Sequence, residues 1–295
     1  PTYSGLWLFD VENYHYKRPV YDDSITKKYL EEDFINHIVT LHNGDHIISA
    51  RDAMYVLNGK TYHVRKLDSL PSDRGSTNFA LQDRKGLIWV GSAQGLYCMD
   101  PDYHFLGKLS RNAKDNFITT GFILKDNSFL FSYTNGLYTA HFTDGNIHVE
   151  KKTPLFDNTR LSTLYEDMNG VIWAGSDNGI YRYVPNNSKL NLFDRSDNIQ
   201  GYGFNSNGWF RDKDGILYFC GINGINYWQP ETFSTPAQSF EAYITKARVA
   251  NRDYSMHTFN ALEPVKYSER SVGVVFSAAY YNYPEKMRYR CNLQG

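Results

Sequence analysis

The sequence predicts an all-β protein on three observations: its aromatic content, its lack of helical periodicity and an internal repeat. Aromatic residues make up 16% of the 295 residues, as 24 Tyr, 18 Phe and 5 Trp, and these types favour strands. The segments between the repeated motifs contain no sustained apolar period of 3.6 residues. Residues Thr26 to Phe34 could form a helical turn or two, and we interpret their charges as a solvated loop face.

The repeat is a phrase that runs from Asp83 to Tyr97, from Asp167 to Tyr181 and from Asp212 to Asn226. Weaker copies run from Asn127 to Tyr138 and from Gly44 to Tyr55, and a copy without its first half begins at Ser4. Aligned on one closing position, the copies recur every 41 to 48 residues, at Gly5, Ala53, Gly95, Gly136, Gly179 and Gly224. That period is typical of a β-propeller blade.

Each copy reads as a β-meander. Asp-x-x-Gly predicts a turn, Ile-Trp-Val a half-buried strand, Asn-Gly the positive-φ residues of a tight hairpin, and Leu-Tyr a return strand. One blade cannot bury its own faces, so we expect the repeated aromatic residues to fill the space between blades. They form two columns: Trp89, Trp173 and Tyr218, and Trp7, Tyr55, Tyr97, Tyr138 and Tyr181.

The period divides the chain into two predicted domains. Residues 1–236 are predicted to hold about five to six propeller blades. After Pro230 the period stops, and strand-like residues continue from Phe240 to Val249 and from Val272 to Tyr280. We therefore expect residues 237–295 to belong to a second domain. The chain begins without an initiator Met or a leader, so we expect it to be a piece of a longer protein.

Charge and hydropathy exclude several functions for this segment. There are 31 Lys+Arg against 32 Asp+Glu, which provides no basic field for binding nucleic acid. No run approaches the ~18 apolar residues of a membrane span, so we expect membrane attachment only through a helix outside the segment. Three cysteines, Cys98, Cys220 and Cys291, are widely spaced, and we interpret them as buried free thiols.

The repeated phrase Ile-Trp-x-Gly-Ser-x-x-Gly-Leu-Tyr resembles the repeat of two-component-regulator propellers, found in the periplasmic sensor region of hybrid histidine kinases of glycan-degrading Gram-negative bacteria. Residues 199–230 are similar to the last blade of these sensors, with Cys220 in place of a glycine. Residues 283–295 resemble the signature of the triple-tyrosine, immunoglobulin-like module that follows the propeller, with Cys291 in place of its last Tyr.

The resemblance implies a β-propeller in residues 1–236 that is truncated on its N-terminal side, followed in residues 237–295 by the start of an incomplete immunoglobulin-like sandwich. It also implies a periplasmic, membrane-anchored sensor that binds polysaccharide-derived oligosaccharides, forms a homodimer and signals to a histidine kinase that controls glycan-utilisation genes. The kinase lies outside this segment, so we expect the segment to have no enzymatic activity and no cofactor.

In a propeller, the loops between blades and the hairpins within blades share one face around the central channel, where they can converge on a ligand. Arginines in four of these loops favour an acidic or sulfated glycan, amides suit sugar hydroxyls, and Tyr202 or Trp209 could stack on a sugar. Asn36 lies in a loop that leads into an inner strand and is a further polar residue on this face. Turn geometry alone explains the hairpin residues Gln94, Asn135, Asn178 and Asn223. The predicted ligand-binding residues are Arg74, Asn78, Arg111, Asn116, Arg160, Arg195, Tyr202 and Asn205.

Catalytic and metal sites find little support. Glu166-Asp167 and Asp22-Asp23 lie at predicted turns or loops, where carboxylates bond to their own backbone. His37, His42 and His46 have suggestive spacing, but His42 lies at a turn, so we predict no metal site. Two alternatives stay open: a propeller enzyme, either a polysaccharide lyase or a glycosidase, and a protein-interaction scaffold.

Overall fold

The computed structural model describes residues 5–109, 117–133, 135–157, 159–233, 241–250, 252–255 and 271–278. It divides the chain into two compact units, Pro1–Phe233 and Ser234–Gly295. The first unit is a succession of antiparallel sheets whose strands follow one another in chain order. The predicted all-β fold of meander blades is therefore confirmed for this unit.

Six sheets form the first unit, and we call them blades 1 to 6. Blade 1 is a two-stranded hairpin of β1 (Leu8–Asp10) and β2 (His15–Lys17). Blade 2 is a meander to which β3 adds a fifth strand, parallel to β7; its strands are β3 (Val20–Tyr21), β4 (Ile35–Thr40), β5 (His46–Ala50), β6 (Met54–Leu57) and β7 (His63–Leu67).

Blades 3, 4 and 5 each have four strands. Blade 3 comprises β8 (Thr77–Gln82), β9 (Ile88–Ser92), β10 (Gly95–Met99) and β11 (Phe105–Leu109). Blade 4 comprises β12 (Gly121–Ile123), β13 (Phe129–Tyr133), β14 (Asn135–Thr143) and β15 (Asn146–Asp157). Blade 5 comprises β16 (Leu161–Glu166), β17 (Ile172–Ser176), β18 (Gly179–Val184) and β19 (Lys189–Phe193).

Blade 6 has three strands among the described residues: β20 (Phe204–Arg211), β21 (Leu217–Gly221) and β22 (Gly224–Trp228). Short 3₁₀ helices precede or follow blade strands at Ser72–Arg74, Pro185–Asn187 and Arg195–Asp197. The first strands of blades 2 to 6 contact one another in succession, β4 with β8, β8 with β12, β12 with β16 and β16 with β20. We call the space that these five strands enclose the channel.

A helix, α1 (Ser24–Glu32), lies between β3 and β4 in the chain and packs against β3, the edge strand of blade 2, and its neighbour β7. Asp23 caps it, because its carboxylate accepts a 2.7 Å hydrogen bond from the backbone N–H of Thr26. Leu30 is fully buried, while Lys27 and Lys28 are exposed. The predicted helical segment is confirmed, but its charges lie on a capped helix of nine residues rather than on a loop.

The hydrophobic core lies between successive blades, as the aromatic columns predict. Trp89 of blade 3 stacks on Phe129 of blade 4 with 5.2 Å between ring centroids. Trp173 of blade 5 contacts Trp228 of blade 6 at 5.1 Å. The second column faces the other way, and Tyr97 joins a cluster with Met54 and Val56 of blade 2.

Two members of these columns depart from the prediction. Tyr218 is half-buried and stacks on Tyr227 of its own blade, 5.9 Å away, because no described residue forms a following blade. Trp7 is 45% exposed and lies 3.7 Å beneath the guanidinium of Arg18. The remaining rings of the second column are buried or half-buried, at Tyr55, Tyr97, Tyr138 and Tyr181.

The hairpins within the blades turn on a serine as well as on glycine. The glycines have positive φ, for example 130° at Gly95 and 134° at Gly179, whereas Gln94 and Asn178 do not. The hydroxyl of Ser92 accepts from the N–H of Gln94 and donates to the carbonyl of Gly95. Ser176 makes the same two bonds in blade 5. Only the glycine half of the predicted Asn-Gly turn therefore needs positive φ at these hairpins.

The second unit contains a three-stranded antiparallel sheet among its described residues. Its strands are β23 (Ala242–Val249), β24 (Arg252–Tyr254) and β25 (Val272–Ala278), with β23 in the centre. The motif at residues 283–295, including Cys291, lies outside the described residues. In the described part of the chain, no helix has the length and apolar character needed to cross a membrane.

Candidate functional site

A cavity of about 500 Å³ opens where the chain enters the first strands of blades 2 to 6. We call it the channel cavity. Its walls combine amide, hydroxyl and aromatic groups with one cationic side chain, and its lining residues are Phe34, Asn36, Asn78, Phe117, Thr119, Arg160, Asn205, Ser206 and Gly208. Every one of these residues lies within or just before β4, β8, β12, β16 or β20, so five blades contribute to one site.

Polar side chains at equivalent positions join neighbouring blades around the cavity. The amide of Asn36 donates to the carbonyl of Thr77 at 2.8 Å, and the amide of Asn78 donates to the carbonyl of Ile118 at 2.7 Å. In the next blade, the hydroxyl of Thr119 donates to the carbonyl of Leu161 at 2.7 Å. These bonds hold successive inner strands in place and leave the side-chain oxygens of Asn36 and Asn78 as acceptors.

Residues that follow the cavity residues along the same strands also join neighbouring blades. The hydroxyl of Thr120 donates to Oδ1 of Asn207 at 2.8 Å, which links blade 4 directly to blade 6. Further along the inner strands of blades 4, 5 and 6, the rings of Phe122, Tyr165 and Trp209 contact one another at centroid distances of 5.1 to 5.4 Å. Trp209 therefore packs on the hydrophobic cluster of blades 5 and 6 rather than offering a free face to a sugar.

The cation of the cavity is Arg160, which immediately precedes β16. Its side chain is exposed and makes no hydrogen bond or ion pair with any residue that the structure describes. Phe117 is 46% exposed and lines the same cavity. Arg160 and Phe117 also line an adjoining cavity of about 240 Å³, together with Thr119, Ser132, Tyr133 and Leu161. Together they present an aromatic surface and a free guanidinium to one solvent-accessible space.

The structure thus brings three predicted ligand-binding residues, Asn78, Arg160 and Asn205, into the channel cavity. Arg195 and Tyr202 pair with each other instead, with the guanidinium 4.8 Å from the ring centroid, and do not line this cavity. The side chain of Asn205 is exposed and forms no hydrogen bond within the described ranges.

Arg74 has a structural environment. It is buried, and its guanidinium donates to the carbonyls of Asp52 at 3.1 Å and Pro71 at 3.3 Å, so it ties blade 2 to the loop before blade 3. The predicted residues Arg111 and Asn116 lie outside the described residues. Sequence reasoning missed Phe34, Phe117 and Thr119; the position of Thr119, one repeat after Asn78, was the signal that could have found it.

The comparisons with known proteins concern the fold. No protein-family model matches the chain. In sequence, the chain is 23% identical over 91 residues to histidine kinase P4 of Formosa agariphila, which covers 31% of the chain and 7% of that protein. In structure, it matches the extracellular domain of BT3049 of B. thetaiotaomicron, described as a hybrid two-component system, with a TM-score of 0.66 and 20% identity.

A second structural match is the extracellular domain of BT4673 from the same organism, also described as a hybrid two-component system, with a TM-score of 0.61 and 15% identity. The matches cover 93% and 84% of this chain. The chain has the fold of these extracellular domains. It spans 36% and 33% of their lengths, so it corresponds to about a third of each. The resemblance that the repeated phrase indicates is confirmed at the level of the fold.

Several carboxylates at the predicted turns and loops form hydrogen bonds with the backbone. Asp83 and Asp167 accept hydrogen bonds from the backbone of their own turns, and Glu166 accepts from the N–H of Lys125. Hydrogen bonds from the backbone and hydroxyl of Thr26 hold the pKa of Asp23 below its ordinary value. No carboxylate is among the described residues of the cavity wall.

Two of the three histidines with suggestive spacing, His37 and His46, lie in different surroundings. Burial lowers the pKa of His37 to about 4, so this ring is neutral at pH 7, and its edge faces the ring of Phe79. His46 bonds to the hydroxyl of Thr40 in its own blade. Over the part of the chain that the structure describes, no three His, Cys, Asp or Glu side chains converge as a metal site would require.

Proposed function

We propose that this chain is the ligand-sensing region of a hybrid two-component sensor and that it binds an oligosaccharide in the channel cavity. The observation that carries the proposal is a polar cavity of about 500 Å³ to which five blades contribute, in a fold shared with extracellular domains of two-component systems. Amide and hydroxyl groups on its wall match sugar hydroxyls, and Phe117 offers a surface for a sugar ring. The absence of a carboxylate pair among the described lining residues favours binding over turnover.

In this proposal the sensor is periplasmic, and the kinase and the membrane helix belong to other parts of the full protein. The second unit is the start of an immunoglobulin-like triple-tyrosine module that connects the propeller to them. The protein acts as a homodimer. A ligand changes signalling only by its difference in affinity between two arrangements of the protein, and binding to five inner strands at once would favour one arrangement.

Calorimetry and thermal shift on the full extracellular region, with a panel of defined acidic and neutral oligosaccharides, test the proposal. We expect at least one oligosaccharide to bind and to raise Tm, and Asn205→Ala to weaken that binding without lowering the stability of the free protein, because its side chain is exposed. Asn146→Ala is the matched control, since Asn146 lies in the outer hairpin of blade 4 and bonds only locally to the carbonyl of Asp144.

Three results would overturn the proposal. If no member of the panel binds, or if Asn205→Ala and Asn146→Ala bind the same ligand equally well, the channel cavity is not the sensing site. Release of reducing sugar from a polysaccharide by the purified region would identify a propeller enzyme instead.

A further inference from the structure

We propose that the ligand of the channel cavity is an acidic sugar whose carboxylate or sulfate is bound by Arg160. The inference rests on the proposed function and adds the chemical class of the ligand. It depends on three features of the described cavity wall: the cation Arg160, the distribution of donors and acceptors, and an exposed aromatic ring.

The charged group on the described part of the cavity wall is positive. Arg160 is the one charged side chain among the described lining residues, and no carboxylate accompanies it. Structural arginines in this chain have partners: Arg74 bonds to backbone carbonyls, Arg211 pairs with Glu231 at 2.9 Å, and Arg195 lies over the ring of Tyr202. Arg160 has no partner in the described ranges. A free guanidinium in a concave wall concentrates positive potential where an anion can approach it.

The amides of the cavity add selectivity for the rest of the ligand. The side-chain amides of Asn36 and Asn78 each donate a hydrogen bond to the neighbouring blade. Their amide oxygens can therefore accept hydrogen bonds from hydroxyl groups of a ligand. Acceptors of this kind repel a bare anion but suit the hydroxyls of a sugar. The anionic group of the ligand is therefore directed to Arg160 on blade 5, and the sugar hydroxyls to blades 2 and 3.

Phe117 completes the site. Its ring is 46% exposed and lies on the same two cavities as Arg160. A uronic acid or a sulfated sugar has both an apolar ring face, which can lie on Phe117, and an anionic group, which can lie on Arg160. The planar guanidinium can donate two parallel hydrogen bonds to a carboxylate or sulfate, which an ammonium group cannot reproduce.

The test is a comparison of matched sugars and matched variants by calorimetry, using the full extracellular region. The probes are galacturonate oligomers and their neutral methyl esters, and sulfated galactan oligomers and their desulfated forms, added to the panel described above. The variants are Arg160→Gln and Arg160→Lys. Lys28→Gln is the control, because it removes the same charge from an exposed position on α1, which packs at the outer edge of blade 2.

We expect an acidic oligomer to bind at least ~10-fold more tightly than its neutral counterpart. Arg160→Gln should abolish that preference, Arg160→Lys should restore it only in part, and Lys28→Gln should leave it unchanged. The affinity of the unmodified protein should fall as salt rises, and the affinity of Arg160→Gln should fall less steeply. The carboxylated and sulfated arms distinguish the two kinds of anion.

Failure of this inference is distinguishable from failure of the proposed function. If the oligosaccharides that bind are neutral, and Arg160→Gln binds them as the unmodified protein does, the cavity remains a sugar site but its ligand is not acidic. If an acidic oligomer binds with equal affinity to Arg160→Gln, the anion is held elsewhere. If nothing in the panel binds, both proposals are wrong. Because Arg160 is exposed and has no partner among the described residues, we expect its variants to keep the Tm of the free protein.

Discussion

The indole Nε1 of Trp173 donates a 2.9 Å hydrogen bond to Oδ2 of Asp167, six residues earlier. The other carboxylate oxygen of Asp167 accepts from the backbone N–H groups of Asn169 and Val171, which close the turn. The same spacing joins Trp89 to Asp83 at 3.3 Å, and in blade 6 the hydroxyl of Tyr218 donates to Asp212 at 2.9 Å. The repeated aspartate thus fixes the turn and orients the aromatic ring that packs between blades.

Replacing Asp167 with alanine should therefore lower the free energy of unfolding by about 3 kcal/mol, because buried N–H groups in the turn and on the indole lose their acceptor. Urea unfolding measures the change. Asp214→Ala is the control, since Asp214 lies in the equivalent turn of blade 6 with its side chain exposed, and it should change stability by less than about 0.5 kcal/mol. Equal effects from the two substitutions would contradict this role for Asp167.

The glycine of the repeated Gly-Ser pair makes room for a neighbouring ring. A Cβ on Gly91 would lie 2.3 Å from the ring of Phe79, which is buried and stacked on Phe129. We expect Gly91→Ala to lower the free energy of unfolding by about 1–3 kcal/mol or more, as overpacking does. Gly273→Ala, where the nearest atom is 3.9 Å away and φ is not positive, should change it little. Thermal unfolding of both variants would decide, and a neutral Gly91→Ala would refute the packing argument.

Blade 6 shows where the repeat could be predicted and where it could not. Cys220 occupies the position that Gly91 has in blade 3. The sequence shows only that this residue departs from the repeat. Strand β20 bulges between Phe204 and Trp209, so Cys220 has no directly paired residue on that strand. The bulge also brings Asn207 across the channel to Thr120. Neither effect follows from a periodic pattern, because both depend on contacts between strands far apart in the chain.

The candidate site could likewise be predicted only in part. The repeat predicts that Asn78, Arg160 and Asn205 share one face, because each lies near the start of an inner strand. It cannot distinguish a free guanidinium from a buried one, so Arg74 and Arg160 are equivalent in the sequence and opposite in the structure. Phe117 was missed because an exposed aromatic residue has the same sequence appearance as the many buried ones.

The thiols should differ sharply in reactivity. Cys98 is fully buried in β10, and burial raises the pKa of its thiol to about 12, whereas Cys220 is only half-buried. A thiol-specific reagent at pH 8 should therefore modify Cys220 at least ~100-fold faster than Cys98 in the folded protein. The experiment uses a Cys291→Ser background to leave two thiols. The further variant Cys220→Ser should react only after unfolding in urea, and rapid reaction of that folded variant would contradict the burial of Cys98.

His37 should make the stability of the propeller depend on pH. It lies on β4, where burial lowers its pKa to about 4, against about 6.5 for an unfolded histidine. Above pH 6.5 neither state binds the proton, so His37 has no effect on the pH dependence. Between pH 6.5 and 4 the unfolded chain binds a proton that the folded chain does not, and the free energy of unfolding falls as pH falls, by at most about 3 kcal/mol. In His37→Gln this contribution is absent. Urea unfolding measures the free energy of unfolding of both proteins. The difference between these two free energies should therefore be constant from pH 7 to 9, and it should shift in favour of the variant from pH 6.5 to 4. Parallel curves over the acidic range would show that His37 is protonated in the folded propeller as readily as in the unfolded chain.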